Sequence, residues 1–143
     1  MIHEQEAAGS VILALHRATH ATLQTLTARL AGQGLTASEI NVLANLADGR
    51  ARSVGDLVSA TATKPTTLTS VLDRLAGREF VTRDVDPADR RSFLVSLTPA
   101  GRRVARASLT AAADLERAAL TAIGDRDLAG FRAVTRALTE VAR

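Results

Sequence analysis

Two groups of residues in this chain have chemistry to offer. Lys64, Pro65, Thr66, Thr67, Thr69, Ser70 and Arg74 fall within one short stretch, and Asp89, Arg90 and Arg91 follow a little further on. Cations and short hydroxylic side chains together suit a polyanion. Guanidinium and ammonium groups take phosphate oxygens, and threonine and serine reach phosphates or base edges without holding a helix out of a groove. His16 and His20 form the second group, four residues apart and so on one face of any helix that carries them. That spacing can hold zinc, but Arg17-Ala18-Thr19 between them lacks a glutamate, and the one other histidine is His3. The pair reads first as a polar stripe near an interface or cleft. Lining a small-molecule pocket and binding a metal stay open as alternatives, and no metal or cofactor site is assigned.

Charge placement supports the polyanion reading. Residues 50–106 carry eleven arginines and lysines against six carboxylates, a net +5, which leaves −2 for the rest of a chain of formal charge +3. Within the basic stretch, Arg74 suits a phosphate or a guanine edge. A guanidinium at Arg90 or Arg91 on a thin loop suits a narrow minor groove, where the potential is most negative. Asp89 is expected to brace an arginine fork there.

These residues need elements to position them, and hydrophobic periodicity supplies those. With 143 residues, 46% hydrophobic and 2% aromatic, the chain can build one core from Leu, Val and Ala. Residues 7–31 read as a long helix ended by Gly32 and Gly34. Thr36-Ala37-Ser38-Glu39 opens a second helix as a capping box, and Asp48-Gly49 stops it. Ser53-Val54-Gly55-Asp56 opens a third, short helix, followed by a polar turn over residues 60–63. Pro65 fits the first turn of a fourth, whose Leu68, Val71, Leu72 and Leu75 make a buried stripe ending near Gly77. Alternation then replaces the helical period at residues 80–83 and 92–97, two strands of a hairpin around a polar loop at Asp84–Arg91. Thr98-Pro99 restarts helix as far as Gly124, and Asp125 caps a last one. The fold class is mainly α with a small β-hairpin: a winged helix-turn-helix inserted between N- and C-terminal helices. The segments are 1–34, 35–98 and 99–143. The helix after a helix-turn-helix turn enters the major groove N-terminus first, so double-stranded DNA is the expected partner.

LTSVLDRLAGREFVTRDVDPADRRSFLVSLTPAGR, from Leu68 to Arg102, resembles the MarR family of bacterial transcriptional regulators. It is similar to that family's run of recognition helix, first wing strand, D-x-R wing tip and L-T-x-x-G start of the next helix. LTASEINVLANL (Leu35–Leu46) and SVGDLVSATATKPTTLT (Ser53–Thr69) match more loosely. The resemblance implies a homodimer built from the first and last two helices, a pseudo-palindromic operator, and a ligand-responsive repressor that a small acidic or phenolic effector releases. It places Arg91 as the minor-groove arginine, Asp89 as its support, and Pro65, Thr66, Thr67 and Thr69 at the reading end of the helix. The sequence departs from the pattern at three places. The turn is Thr61-Ala62-Thr63 without glycine, Ser70 stands where many members have arginine, and Glu79 holds the usual glycine position, which would shift the helix exit toward Gly77. The alternative is a winged-helix dimer with weak or lost DNA binding that acts through protein contacts.

Other classes lack their motifs. Lys64, the one lysine, has no glycine-rich phosphate loop before it, and no nucleophile-elbow sequence occurs, so an enzyme is not expected. MIHEQEAAGS has neither a basic nor an apolar leader region, no run is long and apolar enough for a membrane span, and the expected location is cytoplasmic. With no cysteine there are no disulfides.

Overall fold

The computed structural model describes residues 9–142. His3 and the first residues of the expected 7–31 helix lie outside that range. Two units can be distinguished, one up to Ala113 and one from Asp114 onward.

In the first unit, helix α1 (Val11–Arg29) starts where the Ser10 hydroxyl accepts from the Leu13 amide. It stops at a single 3₁₀ turn, Ala31–Gln33, closed by Gly34 at φ +61°. Helix α2 (Ala37–Leu46) carries the expected capping box. Thr36 Oγ1 accepts from the Glu39 amide, and Glu39 Oε2 accepts from the Thr36 amide. A two-residue strand β1 (Arg52–Ser53) leads into α3 (Val54–Thr61), capped reciprocally by Ser53 and Asp56. Helix α4 (Pro65–Gly77) follows with proline in its first turn, as its missing N–H allows. Strands β2 (Val81–Val85) and β3 (Phe93–Leu97) pair antiparallel from Val81↔Leu97 to Val85↔Phe93. Helix α5 (Pro99–Leu120) then begins where Thr98 Oγ1 accepts from the Gly101 amide.

Leu43 and Leu46 of α2, Leu57 of α3 and Leu68, Leu72 and Leu75 of α4 fill one core with Val81, Val95 and Leu97 of the sheet and Val104 and Ala105 of α5. Three capped helices and a sheet thus close around one apolar centre, with α4 held by its buried stripe. The second unit is the end of α5 and helix α6 (Asp125–Val141), which buries none of its own residues.

The differences from expectation are local. The sheet has three strands in the order β1-β3-β2, not the two of a hairpin, since Arg52 and Ser53 pair with Val95 and Leu94. Two residues are too few for alternation to register. Residues 60 and 61 belong to α3, so the turn is tighter than expected and Ala62 makes it at φ +52°. Helix α4 ends at Gly77, near where its end was expected, but the left-handed residue that closes it is not a glycine. Glu79 itself adopts φ +59°, the left-handed geometry a glycine would normally supply. Gly124, not Asp125, is the N-cap of α6.

Candidate nucleic-acid interface

Burial of its apolar stripe fixes which side of α4 faces out. Leu68, Val71, Leu72 and Leu75 are at most 1% exposed, so Lys64, Pro65, Thr66, Thr67, Thr69 and Ser70 lie on the solvent side. Lys64 occupies the N-cap without a side-chain capping bond, which leaves the first-turn amides of Thr66 and Thr67 uncapped. That end carries the positive pole of the helix dipole and favours an anion. Thr69 Oγ1 donates to Pro65 O at 3.0 Å and Ser70 Oγ to Thr66 O at 3.4 Å. Their protons are turned back onto the helix, and they present acceptor oxygens outward.

The wing turn is organised by its carboxylates. Asp86 and Ser92 pair through Asp86 N to Ser92 O at 2.9 Å, and Asp86 Oδ1 accepts from the Ala88 amide at 2.9 Å. Asp89 Oδ1 accepts from the Arg91 amide at 3.0 Å. Asp89 therefore supports Arg91 through the backbone, and the expected carboxylate–guanidinium brace is replaced by a turn of the Asx kind. Both arginine side chains at the tip are exposed.

The cations of the basic stretch divide into two kinds. Arg52 is bidentate to Asp48, at 2.7 and 2.8 Å, which holds the Asp48 carboxyl well below its usual range. Arg83 reaches Asp73 at 2.7 Å and ties β2 to α4. Arg78 donates to the carbonyls of Gln33 and Gly34 and stacks on Phe80 at 4.6 Å. By contrast, the side chains of Lys64, Arg90 and Arg91 make no ion pair or hydrogen bond among the described residues. Of the cations expected to meet DNA, these three keep their charge uncommitted, as do Arg103 and Arg106 on the exposed side of α5.

Arg74, expected at a phosphate or a guanine edge, has a protein partner the sequence did not show: its Nε donates to Glu39 Oε1 at 2.9 Å, from a half-exposed side chain to one that is 4% exposed. Burial pushes the Glu39 carboxyl up, but the Thr36 amide and the Arg74 guanidinium outweigh it and hold the group below its ordinary value. The sequence reading took Glu39 only as a cap. Its position one and two turns before Leu43 and Leu46, on the buried face, was a signal that it would need a cationic partner. The carbonyl partners of Arg78 lie more than forty residues away in sequence, beyond any local pattern.

His16 and His20 are both exposed on α1. His20 borders a groove of about 570 Å³ with Leu23, Thr27, Ala31 and Leu35, whereas His16 does not. No group of three or more His, Asp or Glu side chains capable of holding a metal occurs among the described residues. No helix among them is long and apolar enough to cross a membrane.

Comparison with known proteins agrees with this geometry. The family model described as MarR family matches residues 35–93, from the α2 cap to the second wing strand. The HTH-type transcriptional repressor NicR of Pseudomonas putida is 37% identical over 67 residues. That match covers 47% of this chain and 42% of NicR, so it spans less than half of that relative's length. Among solved structures, a probable transcriptional regulator from Pseudomonas aeruginosa superposes with a TM-score of 0.73 at 30% identity, over 92% of this chain and 98% of that one. Bordetella bronchiseptica BpsR, whose DNA binding is regulated by 6-hydroxynicotinic acid, gives 0.78 at 29% identity over 92% and 94%. The likeness extends over nearly the whole chain, and the chain belongs to the MarR family of transcriptional regulators.

Proposed function

We propose that this protein is a repressor that binds duplex DNA as a homodimer and is released by a small-molecule effector. The observation that carries the reading is the division of cations described above. Lys64 at the uncapped start of α4 and Arg90 and Arg91 at the wing tip are uncommitted, while Arg52, Arg74 and Arg83 are spent on carboxylates. In this reading Pro65, Thr66, Thr67, Thr69 and Ser70 face the major groove. Arg91 enters the minor groove, with Asp89 fixing its backbone and Arg90 beside it.

The dimer reading rests on apolar side chains left uncovered within each unit. Val11 and Ile12 on α1 are more than half exposed, as is Phe131 on α6, and neither helix buries a residue. Helices with an unpartnered apolar stripe favour a second copy of the chain, and a two-fold dimer calls for half-sites about one helical turn (~10 bp) apart. The groove beside His20 is the candidate effector site. An acid such as 6-hydroxynicotinic acid is the first compound to test there.

Binding to duplexes enriched from a random-sequence pool is the test. Phosphate contacts make affinity fall steeply between about 50 and 200 mM salt. Arg91→Ala is expected to weaken binding at least about tenfold, the worth of one good charged contact, with the dimer mass unchanged. Salt-insensitive binding would favour a dimer that acts through protein contacts.

A further inference from the structure

The segment from Gln33 to Glu39 holds α4 at three points. Glu39 Oε1 takes Arg74 Nε at 2.9 Å, Gly34 O accepts from Arg78 Nη1 at 3.1 Å, and Gln33 O accepts from Arg78 Nη2. Glu39 is simultaneously the reciprocal cap of α2, its Oε2 on the Thr36 amide at 2.9 Å. One buried carboxylate therefore fixes the start of α2 and the second half of the recognition helix at once. Arg74 lies two helical turns beyond Thr67 and one beyond Ser70, on the side that carries the reading residues. The bond to Arg74 therefore adds a fixed point on that face, beside the buried stripe that orients the helix.

We propose that Glu39 is a positioning residue for DNA recognition, and that Arg74 serves recognition through Glu39 instead of through a DNA contact. The inference rests on the DNA-binding reading. The buried stripe sets which side of α4 faces out, and an ion pair that is buried on one side adds a directional bond on the reading face itself. Without the pair, the hydroxyls of Thr66, Thr67 and Thr69 meet base edges in a looser register. Binding to phosphates in general, which depends on charge and not on rotation, is retained.

The test is a double-mutant cycle in the full-length protein. Glu39→Gln, Arg74→Gln and the double variant are titrated against a duplex selected by the wild type from a random pool and against a scrambled duplex of the same composition. Circular dichroism and light scattering confirm folded dimers. Each single variant is expected to lose about tenfold on the selected duplex, a factor equivalent to 1.4 kcal/mol, and little on the scrambled one. The double variant is expected to bind no worse than either single, with the salt slope as in the wild type. Suppose instead that Arg74→Gln weakens both duplexes, flattens the salt slope by about one phosphate per protomer, and does so equally with Glu39→Gln present. Arg74 is then a phosphate contact and the proposal fails. It fails too if Glu39→Gln, folded, binds the selected duplex as the wild type does. A wild-type protein that enriches no duplex overturns the DNA-binding reading and this proposal with it. Arg74→Gln, at a half-exposed site, keeps the cycle readable should Glu39→Gln not fold.

Discussion

Single atoms decide several features of this lobe. A Cβ at Gly101 would stand 1.8 Å from Phe80 O, so even alanine must displace backbone. Gly101→Ala is expected to cost at least about 2 kcal/mol in chemical denaturation, in line with overpacking of a tight site. Asp89 is expected to matter through its bond to the Arg91 amide. Asp89→Ala should loosen the wing and weaken DNA binding several-fold, while Asp89→Asn, which keeps an acceptor, should retain most of it. A variant series in which asparagine behaves like alanine would show that the carboxylate charge matters instead. Beside the exposed Asp48, Glu39 carries part of the pH dependence. Its folded value lies below the ordinary 4.5, so its contribution is complete above 4.5 and is lost as pH falls through the lower folded value. Thermal melts should therefore be flat in this respect at neutral pH and decline below about pH 4.5, less so in Glu39→Gln.

The elements were legible where the pattern was local. Capping at Thr36 and Ser53, Pro65 in a first turn and Thr98 before α5 all depend on residues within four positions of each other, and the helices start where those residues stand. What escaped was non-local: β1, visible only through its pairing with β3, and the grip of Glu39 and Arg78 on partners brought near by folding. The candidate site divides the same way for α4, with its outward face readable from its stripe and the distant partner of Arg74 not, whereas the turn by which Asp89 takes the Arg91 amide is local and was still not foreseen. Two junctions run against local preference, because Ala62 and Glu79 take left-handed conformations at φ +52° and +59°. For an L-residue that geometry costs roughly 1–2 kcal/mol, offset in part by the greater freedom of glycine in the unfolded chain. Ala62→Gly and Glu79→Gly are each expected to stabilise by about 0.5–1 kcal/mol, read as a rise in denaturation midpoint. A fall at either position would mean that its side chain makes up for the backbone cost.

At the scale of the whole molecule, stability and association are linked. If α1 and α6 bury their apolar faces only against a second copy, the melting temperature must rise with protein concentration. Phe131→Asp, on the exposed stripe of α6, is expected to shift light scattering toward monomer mass and to weaken operator binding, since each protomer then has to find its half-site alone. A melting temperature independent of concentration would count against that arrangement. Within the first unit, the junction beneath the wing has a consequence for motion. The Thr98 amide donates to Phe80 O, the Thr98 hydroxyl to Glu79 O, and Gly101 presses on the Phe80 carbonyl. No single residue there can loosen by itself, so hydrogen exchange at the Thr98 amide should wait for the lobe to open as a whole. Amides at the wing tip, such as those of Ala88 and Arg91, are held only by their own turn and should exchange by local opening, orders of magnitude sooner. The wing would then flex at its tip while its root stays as fixed as the core.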